Sequence, residues 1–134
     1  MLPYLCMEKA VKEFVDTLLL QRKKCPWARE REIAQQLPEL ESEVAEFREA
    51  VEKGDVENMR EELGDVLWDA LFIGIIAEEK GLFTLRDAIE DAHTKLKRRK
   101  PWIFEEKDIS EEESLKRYHE IKAKEKQAKQ KKGV

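Results

Sequence analysis

Residues 39–69 read ELESEVAEFREAVEKGDVENMREELGDVLWD, and the placing of acids and apolar side chains around Gly54 in this stretch decides the fold. Leu40, Val44, Phe47 and Val51 recur at helical spacing before Gly54, and Met59, Val66 and Ile73 resume the pattern after it. Glycine ends a helix without a Cβ clash, and Asp55 is placed to cap the next helix. Two helices joined by so short a turn fold back on each other, so residues equally far from Gly54 lie at similar heights. At ~100° per residue, Glu39, Glu43 and Glu46 fall on one arc bordering the apolar stripe of the first helix. Asn58, Glu62, Asp65 and Asp69 share the corresponding arc on the second. Glu46 and Glu62 are each eight residues from Gly54, Glu43 and Asp65 each eleven, and Glu39 and Asp69 each fifteen, which predicts three facing pairs of acids on successive turns.

Like charges brought together in this way repel, and Asp65 and Asp69 also interrupt an apolar run, so a positive group is expected between the helices. A divalent cation is the simplest candidate. All-oxygen ligation suits Mg²⁺, with Mn²⁺ as a substitute, and the lack of His and Cys nearby speaks against zinc. Salt bridges from Lys or Arg elsewhere are the competing explanation, and a merely solvated acidic face is the ordinary reading of any single glutamate. Mg²⁺ keeps water ligands and bridges to phosphates, so the cluster points to hydrolysis at phosphorus.

The rest of the chain reads as helix. Gly (5) and Pro (4) are scarce among 134 residues, which predicts an all-α helical bundle built around the antiparallel hairpin. A first helix is expected from Met7 to Lys24, broken by Cys25-Pro26-Trp27. Pro38 suits the first turn of the second helix. The third, Val56 to Lys80, is apolar on nearly every side and is expected to associate with another subunit as a homodimer or higher oligomer. The alternative is that Trp68 and Ile75 simply meet the first and fourth helices. Thr84 with Asp87 opens the fourth helix, which ends in Lys95–Lys100 before Pro101, and Ser110 with Glu113 opens the fifth. From Lys122 the apolar face is lost and the helix is expected to fray, giving a domain over 1–121 and a lysine-rich tail over 122–134.

With 26 Lys and Arg against 30 Asp and Glu, the net charge of -4 gives no global field for nucleic acid, and none is expected as a partner. Cys6 and Cys25 have no metal-ligand spacing and read as reduced thiols. The N-terminus lacks a signal-peptide pattern and no stretch reaches the ~18 apolar residues of a membrane span, so a cytoplasmic protein is expected. Lys95 and Arg99, one turn apart, belong to the one dense basic cluster before the tail; they suit phosphate, or a helix C-terminus. Trp27, Trp102 and Phe104 suit base stacking or a core edge. His93 and His119 stand apart from any nucleophile or ligand pattern.

Cys25-Pro26-Trp27, "LESEVAEFREAVEKGD", "REELGDVL", "KLKRRKPWIF" and "YHEIKAKEK" look, in order and spacing, like the successive motifs of MazG-type nucleotide pyrophosphohydrolases, of the all-α NTP pyrophosphatase superfamily. The resemblance covers about Met7 to Lys126. It implies that Glu43, Glu46, Glu62 and Asp65 hold Mg²⁺, that Lys95 and Arg99, with Arg98 close by, contact the nucleotide, and that Tyr118 stands where the family has a late Trp. It further implies cleavage of a nucleoside triphosphate to monophosphate and pyrophosphate. Ser42 and Ala28 depart from the usual Glu and Asp, which bears on substrate choice and outer-shell contacts. This chain has one copy of a domain that many relatives carry twice.

The expectation is therefore a Mg²⁺-dependent hydrolase of the α–β phosphoanhydride, with Glu39, Asp69 or a hydroxide held by the cation serving the attacking water. A deoxynucleotide, a noncanonical nucleotide or phosphoribosyl-ATP as substrate is equally compatible with the residues. A non-catalytic helical interaction module is the alternative from another class.

Overall fold

The computed structural model describes residues 2–132; Met1 and the last two residues of the expected tail, Gly133 and Val134, lie outside them. Six α-helices follow in order: α1 (Leu2–Lys24), α2 (Pro26–Arg29), α3 (Ile33–Lys53), α4 (Val56–Glu79), α5 (Leu85–Arg99) and α6 (Glu111–Lys131), with a 3₁₀ turn at Pro101–Phe104. No strand occurs among the described residues, and no helix there is long and apolar enough to cross a membrane. The fold is all-α. The chain divides into two compact units, one ending at Leu85 and the other beginning at Arg86.

In the first unit α3 and α4 form the expected antiparallel hairpin, and α1 packs against α4. Gly54 takes the left-handed conformation at φ 66°, where it caps α3, and Asp55 Oδ1 accepts from the Asn58 backbone N–H at 3.1 Å to start α4. The core gathers at the far end of α4: Phe72 and Ile76 are fully buried with Ala28 of α2, and half-buried Cys25 and Ile33 pack against them. Ile75 and Leu18 are also buried. The seam of α3 differs in phase from the expected stripe. Gln36 and Ala50 are buried and Leu40, Glu43 and Phe47 half-buried, whereas Val44 and Val51 are exposed. Glu43 thus lies in the seam, between Leu40 and Phe47, rather than beside it.

Three boundaries depart from the sequence expectation. α1 begins at Leu2 instead of Met7. Pro38 lies inside α3, its sixth residue, because the helix already starts at Ile33, where Gln35 Oε1 accepts from the Glu32 N–H at 2.8 Å. That cap satisfies an N-terminal donor and outweighs the backbone bond that Pro38 cannot make. The third departure is in the second unit: α6 does not fray at Lys122 but continues to Lys131. Its start is the expected one, with Ser110 Oγ accepting from the Glu113 N–H at 3.1 Å. Its later part is tied by Glu125, which pairs with both Arg98 and Arg99. An ion pair with two arginines replaces the missing apolar face.

Candidate metal centre

The hairpin places Glu43, Glu62 and Asp65 so that one carboxylate oxygen of each lies within 4.8 Å of the others. All three are half-buried. Oε2 of Glu43 and Oε2 of Glu62 are buried and have no hydrogen-bond partner. A buried carboxylate oxygen without a donor is costly unless a proton or a cation fills the gap. Burial first, and then hydrogen bonds with Glu46 and Glu62, push the Glu43 carboxyl up to about 8. Burial likewise raises Glu62, while its hydrogen bond to Glu43 acts in the opposite sense. Three carboxylates grouped this closely, two of them with a buried unpartnered oxygen, fit a divalent cation of the Mg²⁺ or Mn²⁺ type. Glu46 is exposed but within hydrogen-bonding reach of Glu43.

The third pair of acids is held differently. Exposed Glu39 meets Arg31 at 3.8 Å, and Asp69 Oδ1 accepts from Gln36 Nε2 at 3.3 Å. Burial, followed by the charges of Glu39 and Asp65, raises the Asp69 carboxyl. An arginine thus approaches Glu39, as the salt-bridge alternative anticipated, and the neutral amide of Gln36 serves Asp69, whereas Glu43 and Glu62 each keep an unpartnered oxygen.

Beside the acids opens a cavity of about 280 Å³ lined by Trp27, Gln36, Glu39, Glu43, Asp65, Trp68 and Asp69, with Gln21 and Phe72 behind. Trp27 is exposed, with the Arg31 guanidinium 4.1 Å from its ring centroid. Trp68 Nε1 donates to Gln21 Oε1 at 3.1 Å. Sequence reasoning named Trp27 but not Trp68 or Gln36 as lining residues, nor Arg31, which packs on Trp27. Trp68 is three residues after Asp65 and Gln36 seven before Glu43, so helical phase alone places both beside the acids. Arg31 sits in a loop and carries no such signal.

The remaining candidates belong to the second unit. Lys95 is exposed. Arg98 Nε donates to Glu125 Oε1 at 2.5 Å and Arg99 Nη2 reaches Glu125 Oε2 at 3.1 Å. Tyr118 is half-buried, with the ammonium groups of Lys100 and Lys122 5.9 and 5.4 Å from its ring centroid.

A family model described as the MazG nucleotide pyrophosphohydrolase domain matches residues 31–104. The chain is 39% identical over 102 residues to a Thermotoga maritima protein named nucleoside triphosphate pyrophosphohydrolase/pyrophosphatase MazG, covering 76% of this chain and 39% of that one. It is 33% identical over 102 residues to the nucleoside triphosphate pyrophosphohydrolase of Escherichia coli, covering 75% of this chain and 39% of that one. The chain thus spans about two-fifths of the length of these curated relatives. A crystal structure of a mazG-related protein from Thermotoga maritima superposes with a TM-score of 0.79 at 37% identity, covering 84% of this chain and 98% of that one.

Proposed function

The chain belongs to the MazG nucleotide pyrophosphohydrolase family, and from that premise we propose that it hydrolyses the α–β phosphoanhydride of nucleoside triphosphates, giving monophosphate and pyrophosphate, with Mg²⁺ held by Glu43, Glu46, Glu62 and Asp65. The observation that carries this reading is the convergence of Glu43, Glu62 and Asp65 with two buried, unpartnered carboxylate oxygens beside a tryptophan-walled cavity. The cation, when bound, supplies charge neutralisation at the phosphate oxygens and acidifies the attacking water.

The protein supplies the rest. Gln36 orients Asp69 through one oxygen, leaving the other to take a proton from water; Glu39, fixed by Arg31, is the second group placed for that role. Trp27 and Trp68, the aromatic side chains of the cavity besides Phe72, are assigned to the base. From the family resemblance, Lys95, Arg98 and Arg99 are assigned as phosphate contacts and Tyr118 as a nucleotide contact; within their own unit Glu125 pairs with both guanidiniums. The catalytic domain is assigned to residues 1–121, with α6 running on into the lysine-rich 122–134, and the enzyme to the cytoplasm. Exposed Leu19, Leu20, Leu63 and Leu67 support a homodimer or higher oligomer.

The test is a panel of ribo-, deoxyribo- and noncanonical nucleoside triphosphates plus phosphoribosyl-ATP, incubated with Mg²⁺ and analysed for products. Pyrophosphate and monophosphate are expected, and orthophosphate release contradicts the assigned bond. Glu62→Gln should abolish Mn²⁺ binding in calorimetry and lower turnover by at least roughly 100-fold, beyond the loss expected for a merely supporting group. Wild-type protein that binds neither ion with nucleotide present would leave only the interaction module.

A further inference from the structure

Arg22 is the most buried charged residue of the described chain, 6% exposed, and it lies on α1 outside the acid cluster. Its guanidinium makes four hydrogen bonds. Nε and Nη2 donate to the two carboxylate oxygens of Glu79 at 2.7 and 3.0 Å, while Nη1 donates to the backbone carbonyls of Ala28 and Arg31, each at 2.8 Å. Those carbonyls belong to the segment between α1 and α3. One follows Trp27 directly, and the other is that of Arg31, whose side chain covers the Trp27 ring, meets Glu39 and donates to Gln36 Oε1 at 2.9 Å. A buried guanidinium is tolerated only when its donors are matched, and here two of the matches are main-chain atoms of one short connection.

We propose that Arg22, braced by Glu79, is a positioning residue that sets the Trp27–Arg31 wall over the nucleotide cavity. The proposal rests on the reading of that cavity as the nucleotide site. Arg22 touches no lining acid itself. Its effect passes through the backbone of Ala28 and Arg31, so it governs how well the wall meets the base and leaves the acids of the hairpin in place. Lysine keeps the charge but not the planar fork, and cannot reach two carbonyls and both oxygens of Glu79 together.

The experiment measures kcat and KM for the nucleotide turned over fastest in the panel, in Arg22→Lys, Glu79→Gln and Trp27→Ala and in the double variant Arg22→Lys/Trp27→Ala. Arg22→Lys should raise KM roughly tenfold, the scale of one lost base stack, with kcat held within about twofold. Glu79→Gln should move KM the same way by less. Added to Trp27→Ala, Arg22→Lys should change KM by no more than about twofold, since both act on one contact. Circular dichroism checks folding, and should Arg22→Lys not fold, Glu79→Gln alone or on Trp27→Ala decides, because Glu79 is half exposed. Wild-type KM in the folded variants overturns the proposal, as does full additivity with Trp27→Ala. A Trp27→Ala enzyme with unchanged KM removes the wall from the nucleotide site and the proposal with it, while a panel with no turnover removes the nucleotide reading first.

Discussion

Glu43 is held in the seam of the hairpin with its carboxyl raised to about 8, chiefly by burial and then by Glu46 and Glu62. A group that binds its proton more tightly when folded lends stability that is complete below its unfolded pKa and is lost as pH rises through the folded value. The metal-free protein should therefore melt at a lower temperature at about pH 9 than at about pH 5, and Glu43→Gln should flatten that difference. Thermal melts in a chelator check this, and saturating Mg²⁺, which replaces the proton as the positive group, should restore stability at the higher pH. A metal-free protein equally stable at both would mean the acids are solvated after all. At this scale helical phase was enough to group Glu43, Glu62 and Asp65. It was not enough to separate them from Glu39 and Asp69, because Gln36 and Arg31, which serve those two, act through side-chain reach that spacing does not encode.

At the scale of the element, the turn at Gly54 decides whether the acids face one another. Its φ of 66° is open to glycine and strained for residues with a Cβ. Gly54→Ala should cost about 1–2 kcal/mol and lower the melting temperature by roughly 5 °C, measured by calorimetry. An unchanged melting temperature would show that the turn relaxes freely. Gly54 and Asp55 were legible because they act locally, through a backbone angle and a cap. Pro38 was misread for a related reason: proline favours a first turn, but the cap at Glu32 and Gln35 had already begun the helix five residues earlier. The end of α6 was misread because its support is Glu125 on Arg98 and Arg99, an interaction 26 and 27 residues away in sequence.

For the whole molecule, the proposed association rests on apolar side chains left at the surface. Leu63 and Leu67 are 47% and 50% exposed on α4, and Val44 and Val51 are exposed on α3. Burying the half of each side chain that is still exposed is worth roughly 1 kcal/mol, which favours a second copy over water. Sedimentation equilibrium should give a dimer or larger at micromolar concentration, and Leu67→Glu should shift it toward monomer; a wild-type monomer throughout would remove the assignment. The sequence by itself determined the all-α class, the hairpin and the family, because helix period, caps and turn residues are local properties read in order along the chain. Only the tertiary structure decided that Glu43 lies within the seam, that the inner acids keep two unpartnered oxygens while the outer pair has donors, and that Arg22 ties the Trp27 wall to α4. Each of these depends on which side chains from distant helices meet in space, and burial sets their energy only once the helices have packed.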